Sequence, residues 1–265
     1  NNAIGGAGID IPAYKGQSTR SNVPRAKDLS MWFMAVPNER ARVCDVDNAG
    51  GINRLRDFSG NRNNLVQATA ASRPTVKQST TAGRASFVFT TAQWLGGDDD
   101  AAFDTGTGAF DIYIVFNLTA GSGNQGILGT KASVSAGQAG ISLMCTAAEK
   151  LRGVGSSGSA QKVTALTANN YDDKGFFVAR LSRTGTTTGV STSCTDGTIE
   201  AKSVADGGIN YNGGVFAIGA FNAGGAGIAG NIVEVMAYKG VRLNVPDKDK
   251  VMHYINTKYN LALSI

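Results

Sequence analysis

Hydrophobic and polar positions alternate most cleanly in FDIYIVFNL. There Ile112, Ile114, Phe116 and Leu118 share one side of an extended chain, while Asp111, Tyr113 and Asn117 share the other with Val115. Side chains on a strand point to opposite faces with period two, so this segment predicts a strand with one well-buried face. Shorter apolar segments recur at LSMWFMAV (29–36), RASFVF (84–89), GISLMC (140–145), GFFVARLS (175–182), GTTTGVSTSC (185–194), GGVFAIGAF (213–221) and NIVEVMAY (231–238). Turn formers in GSGNQG, SSGS, TDGT and NYNGG separate them. Many short strands with glycine-rich turns predict an all-β fold, an antiparallel β-sandwich or jelly roll. No repeat of fixed period points to a propeller or solenoid.

Two segments depart from period two. NVPDKDKVMHYINTKYN sets Val251, Ile255 and Tyr259 four residues apart, with Pro246 in the first turn and Asp247 and Asp249 near the positive end. This predicts a helix over 245–259, packed against the end of the sandwich, with Lys248, Lys250 and Lys258 on its solvated face. Residues 1–27 have almost no hydrophobic periodicity and predict an extended N-terminal arm, leaving 28–265 as the folded domain.

Composition removes several function classes. Glycine supplies 35 of 265 residues, about twice the usual share of about 7%, so chance glycine motifs are expected. GSGNQG (121–126) and GAGIAG (225–230) both match the G-x-G-x-x-G dinucleotide spacing, yet strand-like ILGT and NIVEVMAY follow them where a helix is required. They are read as turns, and no cofactor is expected. The formal charge of +5 is scattered, with a mild concentration at Lys15, Arg20, Arg25, Lys27, Arg40 and Arg42. Nucleic-acid binding is not indicated, and no apolar run is long enough for membrane insertion. The first residues carry no signal-peptide pattern, and the missing initiator Met fits processing or trimming of a longer precursor. Cys44, Cys145 and Cys194 read as buried free thiols, a bridge between two of them staying open.

The run RLRDFSGNRNNLVQATAASRPT (54–75) is similar to the aspartate, Ser-Gly-Asn and asparagine run that opens many laminin-G-like or concanavalin-A-like jelly-roll domains. LSMWFMA, with Trp32, resembles their first strand, and the stretch from AGIAGNIVEVMAY to HYINTKYNL resembles their closing strand and final helix. The resemblance covers about 28–263. It implies a concanavalin-A-like sandwich, of a kind common in bacteriophage virion proteins and in secreted bacterial proteins. Asp57, Asn61 and Asn63 can hold a tight turn by bonding nearby amides, and Gly60 can take a positive φ. Because the family includes calcium-binding members, DVDNAGGINRLR (45–56) is weighed as a calcium loop. Ala49 stands at a ligand position and Arg56 where a bidentate Glu is needed, so a structural turn is expected and no metal.

Chemistry is sparse. Glu39, Glu149, Glu200 and Glu234 have no acid two residues on, so the paired carboxylates of a glycosidase are missing from any one strand. His253 is the only histidine, and no G-x-S-x-G elbow is present. Asp98, Asp99 and Asp100 could bind sugar hydroxyls or a cation, or simply form a hydrated turn; Trp94 could stack on a sugar or join the core. The expectation is therefore a protein that is not an enzyme. It reads as a bacteriophage virion structural protein (decoration, tail or adhesion component) whose arm docks on neighbouring subunits, forming a homo-oligomer that contacts other virion proteins and a cell-surface glycan. The alternatives are a carbohydrate-binding module of a secreted or cell-surface bacterial protein and, third, a polysaccharide hydrolase or lyase.

Overall fold

The segment with the strongest alternation lies at the centre of a sheet. The computed structural model describes residues 23–37, 39–78, 84–97, 103–120, 123–130, 137–172, 174–221 and 226–263. Strand β8 (Phe110–Ala120) pairs antiparallel with β13 (Phe177–Arg183) on one side and β17 (Ala229–Lys239) on the other. β14 (Thr187–Cys194) and β15 (Ile199–Ala205) extend the sheet beyond β13. On the far side of β17, β6 (Ala85–Phe89) pairs near its start and β1 (Leu29–Met34) near its end, with β5 (Thr75–Gln78) beyond β6. The second sheet runs in the order β12 (Gln161–Val163), β11 (Leu151–Ser157), β10 (Ala139–Cys145), β9 (Gln125–Gly129), β16 (Ala217–Ile218), β7 (Leu95–Gly97), β4 (Leu65–Val66), β3 (Ile52–Leu55) and β2 (Cys44–Val46).

The two antiparallel sheets form the expected sandwich. Ile112, Ile114 and Phe116 of β8 join Phe177 and Leu181 of β13 and Leu128, Ile141 and Leu143 of the second sheet in one buried cluster. Phe116 and Phe177 have ring centroids 4.4 Å apart. Each such side chain contributes about 1.5–3 kcal/mol by leaving water. The three cysteines are buried and not joined in a disulfide.

The outer face of β8 is buried too, which alternation alone does not predict: Asp111, Tyr113 and Val115 are as enclosed as the core face. The cover is a second helix. After the single turn α1 (Arg40–Val43), α2 spans Val245–Tyr259, starting where the Asn244 side chain accepts from the Asp247 amide at 2.9 Å. It lies over the outer face of β17 and β1 rather than at the end of the sandwich, because Tyr254, Lys258 and Tyr259 all bond Glu234 of β17. Lys258 is therefore not on a solvated face; only 9% of its side chain is exposed.

Neither glycine match opens a helix. Gly126 belongs to β9 and Gly230 to β17, and the two motifs meet where the Gly126 amide donates to the Ala226 carbonyl at 2.9 Å. A Cβ on Gly230 would stand 2.2 Å from the Asn117 carbonyl oxygen. Glycine there lets β17 close against β8.

Candidate functional site

Beyond the cover of α2, the outer face of the first sheet is open. Period two and the strand register put Arg180 and Ser182 of β13, Ser191 of β14 and Ala201 and Ser203 of β15 on this face. The small serine and alanine side chains, with Gly189, keep the floor low and leave a groove of about 280 Å³. Arg180 and Ser191 also line an adjoining recess of about 200 Å³, walled by Lys248, Asp249 and Met252 of α2. Ile199, 58% exposed, adds an apolar edge beside the hydroxyls.

Arg180 is held in place rather than free to swing. Its Nε donates to Asp111 Oδ1 at 2.6 Å, its Nη2 contacts the same oxygen, and Asp111 Oδ2 accepts from the Leu243 amide at 2.7 Å. Burial raises the Asp111 carboxyl above its ordinary range, opposed by Arg180 and the Leu243 amide. Lys248 is lowered by burial and then by the positive charges of Arg180 and Arg242. Three cations thus converge at one end of a hydroxyl-lined floor. The Tyr113 phenol, 1% exposed, borders the recess with no hydrogen-bond partner for its oxygen among the described residues. Hydroxyl donors and acceptors, an apolar edge and a fixed guanidinium can together take the hydroxyls and ring faces of a sugar.

The residues singled out from the sequence lie elsewhere. Asp57 holds a turn: Oδ1 accepts from the amides of Ser59 (2.8 Å) and Trp32 (2.9 Å), and Oδ2 from the Asn63 amide (3.0 Å) and the Ser59 hydroxyl (2.7 Å). Asn61 Nδ2 donates to the Leu29 carbonyl at 2.8 Å and Asn63 Nδ2 to that of Ser30 at 2.9 Å, so the turn is stitched to β1. Gly60 has φ 94°, a left-handed conformation that favours glycine. Trp94 is outside the core, half-buried with its ring against Gly96, where a Cβ would meet it at 2.7 Å, while neighbouring Leu95 turns inward. Asp98, Asp99 and Asp100 lie outside the described residues.

The 45–56 segment is the β2–β3 hairpin, in which Asp45 pairs with Arg56 at 2.5 Å and Asp47 with Arg73 at 2.9 Å. Glu234 is fully buried and bonds four donors, so no substrate reaches it. Sequence reasoning missed the groove, although one signal was present: Gly189, Ser191 and Ser193 place small residues at every second position of β14.

No protein-family model matches the chain, and no curated protein does. Solved structures do. The binding domain of Paraclostridial Mosquitocidal Protein 1 aligns with TM-score 0.57 and 10% identity over 86% of this chain and 52% of that one. An arabinofuranosidase complexed with arabinofuranosyl-α-1,2-xylobiose aligns with TM-score 0.56 and 13% identity over 90% of this chain and 64% of its own. Trypanosoma rangeli sialidase with the inhibitor DANA gives TM-score 0.53 and 11% identity over 84% of this chain and 32% of its own. This chain therefore spans about half of the toxin domain and about a third of the sialidase chain. At these identities the likeness carries the fold alone: an antiparallel jelly-roll sandwich. It also corrects the expectation that the chain is not an enzyme. Two of these three neighbours are glycosidases, so the absence of paired acids within one strand does not separate this fold from catalysis.

Proposed function

We propose that this chain is the lectin-like domain of a bacteriophage virion structural protein, a decoration, tail or adhesion component that contacts a cell-surface glycan. The observation that carries the glycan contact is the uncovered, low-floored stretch of sheet between Arg180 and Ser203. The neighbour named as a binding domain supports a sandwich used for recognition. The virion context rests on the resemblance of the opening turn and closing helix to concanavalin-A-like domains of a kind common in bacteriophage virion proteins, and on the polar 1–27 segment. A segment too polar to fold alone gains order when a neighbour supplies surface, which suits docking on other virion subunits and on further copies of this chain. A carbohydrate-binding module of a secreted or cell-surface protein is the second reading. It is favoured by the lengths of the neighbours, in which such a sandwich is one part of a longer chain.

Two measurements test this. On a glycan array the full chain is expected to bind a defined set of glycans. Ala201→Trp, which fills the groove from an exposed position, is expected to weaken that binding about tenfold or more, as a lost pocket contact does. Binding unchanged by Ala201→Trp rejects the groove as the glycan seat. Mass spectrometry of purified virions is expected to find the chain at structural stoichiometry; its absence from virions, with glycan binding intact, turns the assignment to the secreted module.

A further inference from the structure

A second groove, of about 430 Å³, lies at the other sheet and shares no residue with the first; Arg42, Arg54, Arg56 and Arg62 line it together with Phe58. Two of these guanidinium groups are tied to acids, Arg42 to Glu39 at 2.6 Å and Arg56 to Asp45 at 2.5 Å. Arg54 and Arg62 are exposed and have no acid partner among the described residues. The one carboxylate lining the groove, Asp57, already accepts four hydrogen bonds from the turn it organises. Its single charge balances at most one of the two unpaired guanidinium groups, so the groove keeps a net positive charge.

Backbone geometry singles out Arg62. Its φ of 63° is left-handed, a conformation that costs a residue with a Cβ and that persists where the surroundings enforce it. The enforcement is visible on both sides: Asn61 and Asn63 are bonded to β1 carbonyls, which leaves Arg62 at the exposed apex between them. Phe58 supplies the complementary feature. It is half-buried, with its ring edge-on to Trp32 at a centroid distance of 6.1 Å, so an apolar surface is fixed inside an arginine-rimmed groove.

Paired arginines match a carboxylate because the planar guanidinium donates two parallel hydrogen bonds, and an aromatic face matches the C–H face of a sugar ring. A bare polyphosphate needs the cations but has no use for the ring, and a single-stranded nucleic acid, whose bases stack on such rings, is the competing occupant that an oligothymidylate titration tests. We propose that this groove seats a carboxylate-bearing sugar, a hexuronate unit of an acidic polysaccharide, with the carboxylate taken by Arg54 and Arg62 and the ring laid on Phe58.

Calorimetric titration of the full chain with trigalacturonate, neutral galactotriose and a short oligothymidylate tests it. At about 0.15 M salt, where charges beyond about 8 Å are screened, trigalacturonate is expected to bind and the other two are not. The double change Arg54→Ala with Arg62→Gly is expected to weaken trigalacturonate about tenfold or more, the usual cost of losing charge-assisted hydrogen bonds. Glycine accepts φ 63° without strain, so this variant removes the guanidinium while keeping the turn, and an unchanged urea midpoint verifies that. Equal binding of galactotriose, equal binding of oligothymidylate, or an unweakened double variant each overturns the proposal. Ala201→Trp in the first groove is expected to leave trigalacturonate binding intact, so failure of the glycan seat there and failure here register separately.

Discussion

Glu234→Gln is expected to destabilise the fold by about 3–5 kcal/mol, the loss that follows removal of one partner from a buried ion pair. The carboxylate is fully buried, with Oε1 accepting from Trp32 Nε1 at 2.5 Å and from the Tyr254 hydroxyl at 2.9 Å. Oε2 accepts from the Tyr259 hydroxyl at 2.6 Å and from Lys258 Nζ at 3.1 Å. Glutamine keeps the shape but removes the charge that balances Lys258, and turns an NH2 group toward donors. Among the described residues Lys258 then keeps the Tyr254 oxygen, the Met34 sulfur and three aromatic faces about it. Lys258→Met is expected to cost less, about 2 kcal/mol, because Glu234 retains three neutral donors. The double variant should recover part of the loss, a coupling that a double-mutant cycle in urea measures. An unfolding free energy of Glu234→Gln within about 1 kcal/mol of the parent would contradict the network. The consequence reaches the site, since α2 supplies the Lys248, Asp249 and Met252 wall of the recess and Glu234 is what fastens the end of that helix to the sheet.

The parts of this fold that were legible in the sequence are those where one period dominates. FDIYIVFNL is a strand almost at the bounds its alternation predicts, and 245–259 is the expected helix. GGVFAIGAF predicts nine strand residues, but the strand is only Ala217–Ile218; the Phe216 carbonyl and the Gly219 amide still bond Gly97 and Ile127, and regular pairing ends at Gly219, whose φ is 85°. Strand β15, IEAKSVA, alternates between exposed and half-buried positions and so carries no apolar stripe to read. The seat of α2 was hidden for a different reason. Asp111 and Asn117 make the outer face of β8 look solvated, yet Asp111 is satisfied by Arg180 and the Leu243 amide, groups 69 and 132 residues away. Lys258 looked like a surface charge because its counter-ion stands 24 residues earlier on another element. The same limit hid both grooves: a low serine floor and an arginine rim gain meaning only when strands distant in sequence lie side by side. The Asp57 turn could be anticipated because its partners Ser59 and Asn63 are local.

Raising the pH through 10 is expected to unfold the protein cooperatively, with a midpoint between about pH 10 and 11.5. Burial raises the phenols of Tyr113, Tyr171, Tyr211, Tyr238 and Tyr259, that of Tyr211 to about 12, while unfolded phenols titrate near 10. A group whose folded pKa is raised contributes stability that is whole below the unfolded pKa and is lost as pH climbs above it. Above about pH 10 the unfolded chain therefore releases protons that the folded chain retains. Five such groups at about 1.4 kcal/mol each per pH unit give a slope of roughly 7 kcal/mol per unit. Even half of that, allowing for solvent that reaches the less enclosed rings, removes a stability of about 5 kcal/mol, the low end of the usual range, within about 1.5 pH units. Cys44 and Cys145, raised by burial to about 11 and about 12, begin the loss nearer pH 9. Lys258 acts oppositely, since burial lowers it and the folded state sheds its proton first; that gain ends once the unfolded lysine titrates near 10.4. Tyrosinate absorbance and far-ultraviolet circular dichroism should therefore change together in one transition. Phenols that ionise near pH 10 while the β-sheet signal persists to pH 12 would mean that these rings are open to solvent. In that case the enclosure that fixes Tyr113 at the groove and Tyr259 between α2 and the sheet would be absent in solution.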